Sequence, residues 1–211
     1  MRRALANRGR RLKKDWYDCF GRLQKSEREG IDFRLTAIGR DSGIAIVAPH
    51  GGEIEPHTSI IARAVAGDTL SLYLFEGLRP HREHCELHIT SEKFDEPTAA
   101  AIVASAEAVL GIHGRADKED GETTWVGGLD FKRRDGVVAS LIEADFAAVA
   151  RKPGQSLAGA APNNICNRGK SRAGIQLELP RSLRDQLSKD DDRLSRYALA
   201  ILIGLGFGGG N

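Results

Sequence analysis

Short apolar runs and amphipathic stretches alternate along the 211 residues of the chain. Ile44–Ala48 is an unbroken apolar run ended by Pro49-His50-Gly51-Gly52, the pattern of a strand buried on both faces. Val109–Ile112 and Ile175–Glu178 read the same way, and Ser71–Phe75, Leu87–Thr90, Thr123–Val126 and Asp145–Val149 are further strand candidates. Ile31–Ile38 alternates weakly. Trp16, Phe20 and Leu23 recur at helical spacing and predict a helix over 16–29, stopped by Gly30. Thr58 is placed to cap a helix carrying Ile60, Ile61, Ala64 and Val65, with Gly67 as its stop. Pro97 opens an alanine-rich helix over 97–107, a helix is expected near Val137–Ala144, and Asp190–Leu205 closes the chain as another. Residues 151–173 form a long Gly-, Pro- and Asn-rich loop, of a length that in compact domains is often functional. Strands alternating with helices predict a single α/β domain with a mixed, mostly parallel central sheet flanked by helices.

Composition agrees with a globular domain. The chain is 41 % hydrophobic and 28 % charged, and it is long enough to bury a core without covalent staples. No apolar run reaches the roughly 20 residues that a membrane span requires. The three cysteines, Cys19, Cys85 and Cys166, are odd in number and far apart, which argues against a disulfide framework. No CxxC pair is present, so a thiolate zinc site is not expected. The formal net charge is +2, yet residues 1–14 alone carry Arg2, Arg3, Arg8, Arg10, Arg11, Lys13 and Lys14 with no acid. The expectation is a solvated, disordered arm over 1–14 and a folded domain over 15–211. No apolar segment follows the basic residues, so no secretory signal is read; cytoplasmic synthesis is expected, with release by lysis left open.

Polar groups of catalytic type fall at the ends of the apolar runs. His50 follows Ile44–Ala48, with Glu53 and Glu55 in the same loop; His113 follows Val109–Ile112; Glu178 ends Ile175–Leu177. In an open α/β sheet, strand carboxyl ends form the binding crevice, so parallel neighbours would bring these groups to one place. Two imidazoles and a carboxylate make a common catalytic zinc site. Another carboxylate, for which Glu178 is the candidate, would then move protons from water to the leaving amine. Spacing leaves Glu53 and Glu55 open as the third ligand, since Gly51 and Gly52 permit a tight loop for either.

Several segments, in order and spacing, resemble the poly-γ-glutamate hydrolase family of phages and bacteria. They read APHGGEIEPHTSIIARAVAG (48–67), SLYLFEGL (71–78), LHITSEKFDEP (87–97), IHGR (112–115), VGGLD (126–130), PNNICNRG (162–169) and GIQLELPRSLR (174–184). The resemblance covers roughly residues 16–187. It implies a zinc-carboxypeptidase-like fold and a hydrolase of γ-glutamyl amide bonds that uses one Zn2+ ion. It implies His50, Glu55 and His113 as the zinc ligands, choosing Glu55 over Glu53, and Glu178 as general base and acid. It further implies Arg115 at the developing oxyanion or a side-chain carboxylate, and Arg168, Asn167 and His88 as substrate contacts. The family pattern has Gly where His57 stands and Glu where Ile60 stands. The implied partner is an anionic γ-glutamyl polymer, and the basic residues Arg151, Lys152, Arg168, Lys170 and Arg172 suit a polyanion. Two other readings remain: a zinc deacylase or peptidase acting on another acidic amide, and a non-enzymatic protein binding nucleic acid through residues 1–14. His57, His81, His84 and His88 also form a loose histidine group, read as surface or hydrogen-bonded side chains rather than a second metal cluster.

Overall fold

A computed structural model describes residues 14–118 and 120–207, so the expected basic arm lies outside the described residues apart from Lys14. The chain begins with helix α1 (Phe20–Ser26) and strands β1 (Phe33–Ile38) and β2 (Ile44–Gly52). Helix α2 (Thr58–Ala66), strand β3 (Ser71–Gly77), helix α3 (Pro97–Ser105) and strand β4 (Ala108–Arg115) follow. The second half comprises β5 (Thr124–Gly128), α4 (Phe131–Glu143), β6 (Ala148–Ala150), β7 (Ile175–Pro180), α5 (Arg181–Leu187) and α6 (Asp191–Leu205). The strands form one seven-stranded sheet in the order β1-β3-β2-β4-β7-β5-β6. Strands β3, β2, β4 and β7 run parallel; β1 pairs antiparallel with β3 and β5 with β7, while β5 and β6 run parallel to each other. The single α/β domain with a mixed, mostly parallel sheet is therefore as expected.

Both faces of the sheet are covered, which explains why its central strands read as continuous apolar runs. On one face Ile44, Ile46, Leu110, Ile112, Leu177 and Leu179 pack against α2, α4, α5 and α6. On the other, Ala45, Val47, Tyr73, Phe75 and Val109 pack against α1, α3 and Ile165–Cys166. Strand β2 neighbours both β3 and β4, so the chain leaves β2 toward one side and returns on the other. That reversal opens a crevice at the carboxyl ends of β2 and β4.

Three local expectations are corrected, and one helix is added. The first helix is shorter than 16–29: Trp16 is 59 % exposed, and only Phe20 and Leu23 are buried on the helical turns. Leu87–Thr90 is not a strand, although Leu87 and Ile89 are buried; their alternation reports burial, because β3 already has β1 and β2 on its two sides. Thr58 is the first helical residue rather than the cap, and its hydroxyl donates to the Glu55 carbonyl at 2.8 Å. Helix α5 was not foreseen, though Leu183 and Leu187 are spaced i, i+4 and both are buried.

A bulge in β2 aims the site. Ala48 pairs with Leu74 and Gly51 with Glu76, so β2 spends three residues where β3 spends two. Strict alternation would place His50 on the face of Ile44, Ile46 and Ala48, under α2. The extra residue reverses the parity and turns His50 to the opposite face. Pro49 sits inside the bulge, where the interrupted ladder does not require its missing N–H. Gly52 then lies at φ 60, and a Cβ there would be 2.2 Å from the Gly77 carbonyl oxygen. Gly52→Ala is expected to cost about 2–4 kcal/mol of stability, combining left-handed strain with an immovable backbone clash. An unchanged denaturant midpoint would show that this turn is not held as described.

Candidate active site

Strands β4 and β7 place His113 directly opposite Glu178, and β5 places Trp125 on the other side of Glu178. Paired residues share a face, so all three point the same way. The β2 bulge brings His50 to that face, and the turn after it returns Glu55 to the same point, closed by Glu55 N donating to the His50 carbonyl at 2.9 Å. The two imidazoles meet with Nδ1 to Nδ1 at 3.1 Å. Glu55 Oε1 lies 3.3 Å from His50 Nδ1, and Oε2 lies 3.9 Å from His113 Nδ1. All three residues are buried, whereas Glu53 is exposed. Of the two carboxylates that spacing left open, Glu55 is the one that lies beside both imidazoles.

The remaining ring nitrogens are already occupied. His50 Nε2 is 2.9 Å from the Ile89 carbonyl, and His113 Nε2 is 3.4 Å from Ser91 Oγ. The Ile89 carbonyl only accepts, so in the neutral ring it holds the His50 proton on Nε2 and leaves the lone pair on Nδ1. Glu55 Oε2 accepts the Gly114 N–H at 2.7 Å. Two imidazole nitrogens and a carboxylate are thereby presented with spacings near the roughly 3.3 Å between ligand atoms around a tetrahedral zinc. The donor set fits that ion without rearrangement of its supports.

Electrostatics inside the site follow from burial and mutual charge. Burial alone would lower His50, but the Glu55 carboxylate outweighs it and raises the ring above its ordinary value. Burial, joined by the His50 charge, pushes His113 down to about 3. For Glu55 the desolvation is overcome by His50 and His84, which hold the carboxyl well below the usual range. Glu178 moves the opposite way. Burial first, and the Glu55 charge second, raise it well above an ordinary carboxyl, with Arg115 and Arg184 offering partial relief. Gln176 Nε2 donates to Glu178 Oε1 at 2.8 Å and itself accepts from Asn164 at 2.8 Å.

The other expected residues are distributed unevenly. Arg115 commits four N–H groups to the Ala116, Asp120 and Thr123 carbonyls and to the Asp120 carboxylate, and its guanidinium lies 4.1 Å from the Trp125 ring centre. Only its buried Nε remains unpartnered among the described residues, so it cannot extend a fork toward a substrate. Asn167, expected at the substrate, is 1 % exposed. Its amide nitrogen donates to Gly159 and Ala161, and its oxygen accepts from Leu129 and Gly174, which uses its full capacity to brace the 151–173 loop. Arg168 donates to the Ser91 and Phe94 carbonyls, behind His113, with its Nε buried and unpartnered. His88 stacks on His50 with ring centres 4.0 Å apart.

Four supports were not foreseen in the sequence. The Ile89 carbonyl leaves no trace in residue type. Ser91 and Gln176 did leave one, since Gln176 shares a strand face with Glu178 by period-two spacing. Arg184, which is buried, donates to the Pro56, Leu179 and Arg115 carbonyls and ties the loop carrying Glu55 to β4 and β7. His57 adopts φ 74, a backbone state glycine reaches freely and histidine only at a cost, which accounts for the Gly expected there.

Known proteins are similar to this one in sequence and in architecture. The sequence profile described as poly-gamma-glutamate hydrolase matches residues 17–198. The UPF0714 protein YndL of Bacillus subtilis (strain 168) is 37 % identical over 173 residues, covering 82 % of this chain and 67 % of its own. The SPbeta prophage-derived UPF0714 protein YoqZ of the same strain is 35 % identical over 184 residues, covering 87 % of this chain and 65 % of its own. The chain therefore spans about two-thirds of the length of these relatives. A bacteriophage poly-gamma-glutamate hydrolase superposes with a TM-score of 0.85 at 29 % identity, over 92 % of this chain and 97 % of that one. Zinc-free YndL superposes with a TM-score of 0.85 at 31 % identity, over 93 % and 100 %. A family profile spanning most of the chain, relatives above one-third identity and a shared architecture lead to one conclusion: the chain belongs to the poly-gamma-glutamate hydrolase family.

Proposed function

We propose that the protein is a zinc-dependent hydrolase of γ-glutamyl amide bonds, with poly-γ-glutamate as its substrate. The observation that carries this reading is the convergence of His50, Glu55 and His113, three lone-pair donors with their outer atoms already engaged, beside the buried carboxyl Glu178. When bound there, zinc supplies Lewis acidity, polarising an amide carbonyl and making water more acidic. His50 and His113 hold their Nδ1 atoms toward the ion because Ile89 and Ser91 engage Nε2. Glu178 takes a proton from water at a carboxylate oxygen and delivers it to the departing amine nitrogen. Its raised pKa suits both halves of that transfer, since a weaker acid is a better base and still returns the proton. The amide of Gln176 orients the carboxylate. Arg115 acts from behind as a fixed positive charge, because its N–H groups are spent on the chain itself.

The substrate assignment draws on the family and on charge. Arg168 donates to the segment that supports His113 through one terminal nitrogen, and its half-buried guanidinium is suited to a side-chain carboxylate of the polymer. Arg168→Ala is expected to raise KM about tenfold on an anionic substrate while leaving kcat within about threefold, as loss of uniform binding does. An unchanged KM removes Arg168 from substrate recognition.

The deciding experiment measures bound metal and polymer chain length together. Purified protein should carry one zinc in the site and shorten poly-γ-glutamate, lose cleavage on chelation, and regain it with zinc. Cleavage of α-linked polyglutamate or of small acidic amides in preference to the γ-linked polymer would transfer the reading to a deacylase or peptidase. Cleavage that persists after complete removal of metal would overturn the zinc mechanism.

A further inference from the structure

The mouth of the site contains a second set of donors that the mechanism leaves unused. His84 and His88 lie between β3 and α3, and their rings continue a stack that begins at His50. His50 and His88 have ring centres 4.0 Å apart at 35°, and His88 and His84 are 4.2 Å apart at 32°. Glu55 Oε1, already 3.3 Å from His50, is also 3.5 Å from His84 Nε2. One nitrogen of each of His84 and His88 and one oxygen of Glu55 lie within 4.8 Å of one another. Asp15 adds a second carboxylate, with Oδ2 2.9 Å from His88 Nδ1, in ion-pair contact rather than a well-aimed hydrogen bond. The sequence had grouped His57 and His81 with these residues, and the structure separates them. His57 Nε2 lies 3.2 Å from Asp185, and His81 has no place in the cluster.

We propose that His84, His88 and Glu55 form a second divalent-cation site, with Glu55 bridging it to the ion held by His50 and His113. The proposal rests on the zinc reading only through that shared carboxylate. Two imidazoles and a carboxylate favour zinc, cobalt or nickel over magnesium or calcium, which prefer oxygen donors. A carboxylate has two oxygens and several lone pairs, so one Glu serves two ions. The two sites differ in preorganisation. The His50 and His113 side chains are 2 % and 3 % exposed and fixed by hydrogen bonds, whereas the His84 side chain is 49 % exposed. Ordering His84 costs conformational freedom that the inner ligands have already given up, so the outer ion binds more weakly and exchanges faster.

The test is a cobalt(II) titration of the metal-free full chain, read by visible absorption and by metal content after equilibrium dialysis. The wild type is expected to take up two ions, the second more weakly. His84→Ala, at an exposed position that folding tolerates, should lower the affinity for the second ion at least about tenfold, the least that loss of even an outer partner of a ligand costs. His88→Gln keeps a flat polar group in the stack and should weaken the same ion. Wild-type saturation at one ion, or two ions bound with wild-type affinity in His84→Ala, overturns the second site. His113→Ala separates the two readings: its failure to lose any ion counts against the inner site, whatever His84→Ala does.

Discussion

Glu178→Gln is expected to abolish most turnover, by about 10²–10⁴-fold in kcat, while the protein keeps its metal and becomes more stable. The side chain is buried and pairs in register with His113, but it is not part of the converging set of His50, Glu55 and His113. Glutamine retains the shape and still accepts the Gln176 N–H, but cannot carry a proton from water to an amine. The stability gain follows from the raised pKa, caused by burial and by Glu55. The folded state holds the Glu178 proton more tightly than the unfolded chain. That preference stabilises the fold below the unfolded value and is lost as pH rises toward the folded one. At neutral pH the fold must either ionise a buried group or retain its proton against solution, and glutamine avoids both. A gain of about 0.5–2 kcal/mol is expected in the metal-free protein at pH 7.5, vanishing near pH 4. Denaturant curves at both pH values, with steady-state kinetics, provide the check. Full turnover in the variant removes Glu178 from the mechanism.

His113→Ala is expected to lose metal and activity together. The ring contributes one of three donors, and no neighbouring side chain among the described residues occupies its place opposite His50 Nδ1. The inner-ion affinity should fall by more than about 10²-fold, beyond the 10–100-fold that removal of an outer partner costs. Ser91→Ala supplies that lower mark, because Ser91 Oγ is the outer partner of His113. Equal losses in the two variants would argue that His113 is not a ligand. Proton release offers a second readout in the wild type. His113 is lowered to about 3 and is already neutral, while His50 is raised by Glu55. A proton on His50 Nδ1 therefore competes with zinc, and zinc affinity should fall as pH drops. Calorimetry in buffers of different ionisation enthalpy counts that proton. Two protons released would mean that both rings are charged in the metal-free site.

The apolar runs of the sequence determined the sheet and its class. Ile44–Ala48, Val109–Ile112 and Ile175–Leu177 are legible because strands covered on both faces exclude polar residues along their whole length. The ends of those same runs marked His50, His113 and Glu178, since a polar residue that ends a buried strand lies at the rim of the sheet. Local pattern failed where burial and pairing diverge. Leu87 and Ile89 alternate like a strand but are buried without a ladder, and Asn167 resembles a polar contact while holding a loop from within.

Side-chain direction was decided by the tertiary structure alone. The spacing of residues 50–55 is compatible with either Glu53 or Glu55, and only the turn closed by Glu55 N on the His50 carbonyl brings one of them inside. Alternation along β2 would send His50 beneath α2, away from His113. One additional residue in the bulge reverses that direction, and its position depends on how β2 pairs with β3, a contact between segments more than twenty residues apart. Sequence supplied the donor atoms because residue type is local. Their convergence is a property of register, which no segment carries by itself.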